Sequence, residues 1–238
     1  MATPLSASKF LAALRAEGVH VVQVGNWTTH NRNHKGAWGP VHGVMQHHTG
    51  PYSSEAAMVE LCRTGYSGLP GPLCHGVIDR SGTVHLVGYG RANHAGSGDD
   101  DVLAAVIRED KKLPADNEAN TDGNARFYGF EAINKGDGQA WPDAQVEAMV
   151  RASAALCRAH GWHAESVIAH KEWQPGKPDP AGVDMGKFRA RVAERLKHPA
   201  SWSPSTTKPP APKPQPPTVE ERLTALEKRV TALEKKES

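Results

Sequence analysis

Three short stretches hold residue types that could bind a metal ion and move protons. Met45-Gln46-His47-His48-Thr49 sets two histidines side by side in a β-rich run. Side chains alternate across a strand, so His47 and His48 point to opposite faces and only one of them serves a site on a given side. Ile168-Ala169-His170 ends another β-rich run. The Pro/Gly loop that follows, through Gly176 and Pro178, brings Lys177 and Asp179 back toward it. Phe127-Tyr128-Gly129-Phe130-Glu131-Ala132-Ile133 buries a lone carboxylate among apolar neighbours, a costly placement without a partner or a task. Each stretch alone has a plain structural reading: a hydrogen-bonded core histidine, a salt-bridged glutamate, a turn. Together they supply what a catalytic zinc needs, namely three protein ligands, an open position for water and a nearby base.

The elements that must position these groups follow from patterning. Ser6 caps a first helix carrying Phe10, Leu11 and Leu14, and Gly18 stops it. Residues 19–24 and 44–49 read as strands. Ser53 or Ser54 caps a helix with Ala57, Met58, Leu61 and Cys62, ended by Gly65, and residues 66–73 read as loop. Residues 74–79 and 83–87 flank Arg80-Ser81-Gly82 as a hairpin. Residues 95–125 are rich in Gly, Asp and Asn and predict a long surface excursion with a helix over 102–110. Residues 126–133 form a further strand. Pro142 opens a helix that runs to Gly161, 166–169 is a short strand, and Met185, Phe188, Val192 and Leu196 mark a last helix. The expected fold is α/β, a central mixed β-sheet flanked by helices.

Composition narrows the partners. The 238-residue chain has a formal net charge of +2 and no long Lys/Arg run, which argues against nucleic acid. No apolar run is long enough to span a bilayer, so no membrane insertion is expected. Residues 1–10 lack a basic start followed by an apolar stretch. The expectation is synthesis in the cytoplasm without a secretory signal, and release to any outside substrate by another route. Three cysteines, Cys62, Cys74 and Cys157, are too few for a disulfide scaffold. They read as small hydrophobes, with a Cys62–Cys74 bridge open if the protein matures outside the cell. Thirteen histidines invite a metal site.

The chain divides at 1–198, 199–217 and 218–238. The middle piece is mostly Pro, Lys, Ser and Thr, a stiff linker. In the last piece Leu223 and Val230 share one heptad position, and Leu226 and Leu233 the other. That spacing predicts a short coiled coil that needs partner chains, hence a homo-oligomer. The alternative is a frayed, solvated helix.

Five ordered motifs carry a family resemblance: residues 43–50 around His47, 74–84 around His75, 92–96 around His94, Tyr128-Gly129-Phe130-Glu131, and 169–180 from His170 through Asp179. Over residues 5–198 the chain resembles the type 2 N-acetylmuramoyl-L-alanine amidases, which share their fold with peptidoglycan recognition proteins. It is most similar to endolysins of actinobacteriophages. The resemblance implies one Zn²⁺ per catalytic domain, held by His47, His170 and Asp179. It implies Glu131 as the acid–base carboxylate and Lys177 as the group that steadies the transition state. His75, His94 and His48 fall where the family lines its substrate groove. Peptidoglycan is the implied substrate, cut between N-acetylmuramic acid and L-alanine in the course of host lysis. A non-catalytic peptidoglycan-binding module is the alternative.

Overall fold

A computed structural model describes residues 2–203. Its elements, in chain order, are helix α1 (Ala7–Ala16), strands β1 (Val21–Gln23) and β2 (Gly43–His48), and helix α2 (Glu55–Thr64). Strands β3 (Gly65–Tyr66), β4 (Leu69–Pro70), β5 (Gly76–Ile78), β6 (Val84–Leu86) and β7 (Ser97–Gly98) follow. Then come α3 (Asp100–Arg108), β8 (Thr121–Asp122), β9 (Phe127–Ala132), α4 (Asp143–His160), β10 (Val167–Ala169) and α5 (Met185–Leu196).

Six strands form one sheet in the order β1-β6-β5-β9-β2-β10. Every neighbouring pair is parallel except the β5–β6 hairpin, so the sheet is mixed. Helices cover both faces, as expected for an α/β domain. Phe10 and Leu14 of α1, Met149 and Leu156 of α4, and Phe188 and Val192 of α5 pack on one face. Val102 and Val106 of α3 pack with Met45 and Ile168 on the other, where Met58, Val59 and Cys62 of α2 join Val77 and Ile133.

Local chemistry sets the element ends where the sequence predicts them. The Ser6 and Ser54 hydroxyls accept the amides of Lys9 and Ala57 and cap α1 and α2. Gly161, at φ +71°, takes the left-handed position that ends α4. The buried Gln145 amide donates to the carbonyls of Ile78 and Ile133, pinning α4 to the ends of β5 and β9. Gln46 donates to Ser153 and does the same for β2.

Two differences from expectation are informative. The loop at 66–73 holds the small β3–β4 hairpin. Helix α3 begins at Asp100 rather than 102, because the Asp99 carboxylate accepts the amides of Asp101 and Val102. The same carboxylate accepts Asn117 and Glu118, so one side chain closes the long excursion onto the helix start. These bonds outweigh the pull of burial and keep Asp99 below the usual carboxylate range.

The compact unit runs to Trp202, past the composition boundary at 198. Buried Arg195 donates to the carbonyls of Ala200 and Trp202 while it pairs with Glu17, and so ties down the chain there. Most of the 199–217 linker and all of the 218–238 heptads lie outside the described residues. The three cysteines are free thiols.

Candidate active site

The site is built where β2, β9 and β10 end together. Parallel pairing sets His47 of β2 beside Glu131 of β9, with both side chains on the α2/α3 face of the sheet. Ala169 of β10 pairs with Gln46, so the next residue, His170, arrives next to His47 as the chain turns. The loop then doubles back, and the Lys171 amide bonds the Asp179 carbonyl. Trp173 anchors this loop. Its indole N–H donates to the Ala95 carbonyl, and its ring fills the space left by Gly98 and Gly123, where a Cβ would come within 2.2 and 2.7 Å of it.

Three potential ligand atoms converge. His47 Nδ1 lies 3.1 Å from His170 Nδ1, and each lies 3.0 Å from Asp179 Oδ2. All three residues are buried. Three ligands of a tetrahedral zinc, each about 2.0–2.1 Å from the ion, stand roughly 3.3 Å apart. The observed triangle is within a few tenths of an ångström of that, and two imidazoles with one carboxylate are a donor set that zinc accepts. The residues therefore fit a zinc ion.

Electrostatics agree with a site kept for a cation. Burial pulls Asp179 upward, but its close contacts with the His170 and His47 rings win and hold it well below the usual carboxylate range. Burial pushes His47 down to about 4, against the opposing pull of Asp179. Glu131 moves the other way. Burial raises it well above the ordinary value, Cys62 and Asp179 add to this, and Lys177 opposes it. Its Oε1 lies 4.0 Å from His47 Nδ1, and its Oε2 is buried without a hydrogen-bond partner among the described residues. A cation held by the triangle, with its water, would satisfy that carboxylate oxygen.

A cavity of about 270 Å³ opens over this cluster. Glu131, His170, Asp179 and Lys177 line its polar side, and Met58 and Leu61 of α2, Tyr66 and Leu69 of the small hairpin, and Leu73 beyond it line an apolar wall. Leu61, Tyr66 and Leu69 are large hydrophobic side chains left exposed.

Seven of the eight residues singled out in the sequence gather here. His48 points to the other face of β2, as alternation requires, and lines the cavity edge with Nδ1 accepting the Ala181 amide. His94 also lines the cavity, with its Nδ1 3.1 Å from His47 Nε2. Burial, and after it His47, His75 and His170, push His94 well below its ordinary value. His75 stands apart. It is fully buried, its Nδ1 accepts the Gly129 amide, and its Nε2 donates to the Gly90 carbonyl. Both ring nitrogens are taken by backbone, which leaves none for a substrate in the groove.

Two positioning residues escaped the sequence reading. Gln174 Oε1 lies 3.0 Å from His170 Nε2, one helical turn after the ligand candidate, a spacing that could have flagged it. The Asn124 side-chain Oδ1 accepts the successive amides of His94, Ala95 and Gly96 and so aims His94. Nothing local in the sequence marks it.

A family model described as N-acetylmuramoyl-L-alanine amidase matches residues 37–182, more than half of the chain and every residue of the cluster. Among solved structures, the chain is similar to the endolysin N-acetylmuramoyl-L-alanine amidase LysCS from Clostridium intestinale URNW. Identity is 16% and the TM-score 0.46, over 72% of this chain and 94% of that one. It is similar to the endolysin of a Thermus scotoductus bacteriophage at 18% identity and TM-score 0.45, over 74% and 99%. It is also similar to a mutant endolysin from Bacillus subtilis at 18% and 0.46, over 73% and 99%. No curated protein sequence matches it. On the extent of the family match, the chain belongs to the N-acetylmuramoyl-L-alanine amidase family.

Proposed function

We propose that this protein is a zinc-dependent N-acetylmuramoyl-L-alanine amidase. It cuts the amide between the lactyl group of N-acetylmuramic acid and L-alanine, and it works as a phage endolysin in host lysis. One observation carries the hydrolase reading: His47, His170 and Asp179 present three donor atoms 3.0–3.1 Å apart, with an unsatisfied carboxylate beside them in a groove. The sequence resemblance to actinobacteriophage endolysins supports the lytic role.

His47, His170 and Asp179 would hold the ion. When bound, zinc supplies Lewis-acid chemistry, activating water and polarising the scissile carbonyl. Glu131 Oε2, which has no other partner among the described residues, accepts the proton of the attacking water and returns it to the leaving amine. Lys177, exposed on the cavity rim, sets its ammonium against the oxyanion that forms on the substrate. The apolar wall of α2 and the hairpin excludes water from the opposite side.

Mass spectrometry of purified wall digested with the full chain tests the bond. Fragments separating as bare glycan and free peptides with an N-terminal alanine are expected. Cut glycosidic bonds or cut peptide cross-links would reject amidase chemistry. Tight wall binding with no fragments from zinc-loaded protein would select the non-catalytic binding module instead.

The proposal extends to residues 218–238 as an oligomerisation helix. Several heads on one bundle gain avidity on a repetitive polymer, and the Pro-rich linker holds them apart. Sedimentation at micromolar concentration is expected to give an assembly larger than a monomer, and a chain ending at Ser203 is expected to be monomeric. A monomeric full-length chain would remove the proposal. Among the described residues no helix is long and apolar enough to cross a membrane.

A further inference from the structure

We infer that His94 is a positioning residue whose hydrogen bond to His47, anchored on the Phe127 carbonyl, fixes the tautomer that leaves His47 Nδ1 free to bind metal. This inference rests on the metal-centre reading given above and assigns His94 a role distinct from lining the groove.

A backbone carbonyl only accepts hydrogen bonds. His94 Nε2 lies 3.2 Å from the Phe127 carbonyl, so that nitrogen carries a hydrogen. Neither ring nitrogen of His94 meets a carboxylate, and in the neutral ring Nδ1 is then an acceptor. Nδ1 lies 3.1 Å from His47 Nε2, which must donate to it. A neutral His47 that is protonated at Nε2 is bare at Nδ1, the atom aimed at His170 and Asp179. One fixed carbonyl thus dictates the state of the ligand atom through two rings.

The surroundings are shaped for this contact. The two rings meet nearly edge to face, at 5.3 Å between centroids and 89° between planes. The His94 ring sits over Gly129 of β9, where a Cβ would come within 2.4 Å of His94 Nδ1. Asn124 holds the backbone of residues 94–96 by three amides. Outer partners that orient a metal-binding histidine typically contribute 10–100-fold to metal affinity.

The full chain is compared with His94→Leu and His94→Gln. Glutamine can donate to the carbonyl and accept from His47, whereas leucine can do neither. Zinc affinity is measured by competition with a chromophoric chelator. Imidazole ¹⁵N shifts of the metal-free protein report the tautomer, and thermal melts confirm folding. The expectation is about a 10–100-fold loss of zinc affinity in His94→Leu, with His94→Gln much closer to the unmodified chain. The metal-free unmodified protein is expected to show His47 protonated at Nε2, and His94→Leu a mixture of tautomers. Unchanged affinity and an unchanged tautomer in His94→Leu would overturn the inference. Equal losses in the leucine and glutamine variants would also overturn it, by reducing His94 to a packing group. If the unmodified protein takes up no zinc, the metal centre fails, while the tautomer of the metal-free protein still decides the role of His94.

Discussion

Glu131→Gln is expected to lower turnover on purified wall by about 10²–10⁴-fold, the range that a positioned acid–base group contributes, with zinc content unchanged. Glutamine keeps the shape of the side chain and its place beside His47 in the parallel β2–β9 register. It loses the ability to take a proton. Only the carboxylate is a base, so activity falls as pH drops through the Glu131 pKa, and the variant should lack that limb of the profile. Burial, then Cys62 and Asp179, raise this pKa in the metal-free protein. A divalent cation next to it pulls the value back down, so the limb of the zinc-loaded enzyme lies lower.

The same shift makes a stability prediction with a definite sign. An acid whose pKa rises on folding binds more protons folded than unfolded, so its contribution to stability is lost as pH rises through the folded value. At neutral pH the metal-free protein carries that burden, and Glu131→Gln removes it. Metal-free Glu131→Gln should therefore melt at a higher temperature than the unmodified chain while working far more slowly, a trade common at functional groups. Turnover within threefold of the unmodified protein would end the base assignment.

Glu131 also shows what a single sequence makes legible. A carboxylate in an apolar strand is conspicuous, and alternation alone separates His47 from His48. Helix starts at Ser6 and Ser54 and the stop at Gly161 are local events, decided by one hydroxyl or one backbone angle, and they read directly. Strand order is different. Residues 47 and 131 become neighbours because β9 inserts between β5 and β2, a consequence of packing over the whole domain that no window of sequence contains. His75 and His94 show the same limit. Both precede small residues in Gly-rich contexts, yet one is sealed between backbone groups and the other reaches His47. The difference lies in Gly129, whose amide meets His75 and whose missing side chain admits His94. The excursion at 95–125 reads as loop because Asp and Asn favour turns. Its order comes from Asp99 and Asn124 collecting seven backbone amides between them.

Asp179→Ala is expected to cost at least about 100-fold in zinc affinity, beyond the upper end of what a merely supporting residue contributes. Activity should fall with occupancy. A chelator should likewise abolish activity in the unmodified protein, and added Zn²⁺ should restore it. The change isolates the ligand from its neighbours. The Asp179 carboxylate raises the His47 pKa, so its loss lowers that value further below about 4. His47 therefore stays neutral at working pH, and protons do not displace the ion in the variant. Weakened binding then reports the missing oxygen and not a charged ring. Asp179→Cys provides the counter-test, because a thiolate is itself a zinc ligand with a bond only about 0.2–0.3 Å longer. It should recover much of the metal that alanine loses. Elemental analysis that finds full zinc in Asp179→Ala would take this residue out of the ligand set. The three-atom triangle would then be an ordinary buried hydrogen-bond cluster, and the loop from His170 to Asp179 would need another reason to double back as it does.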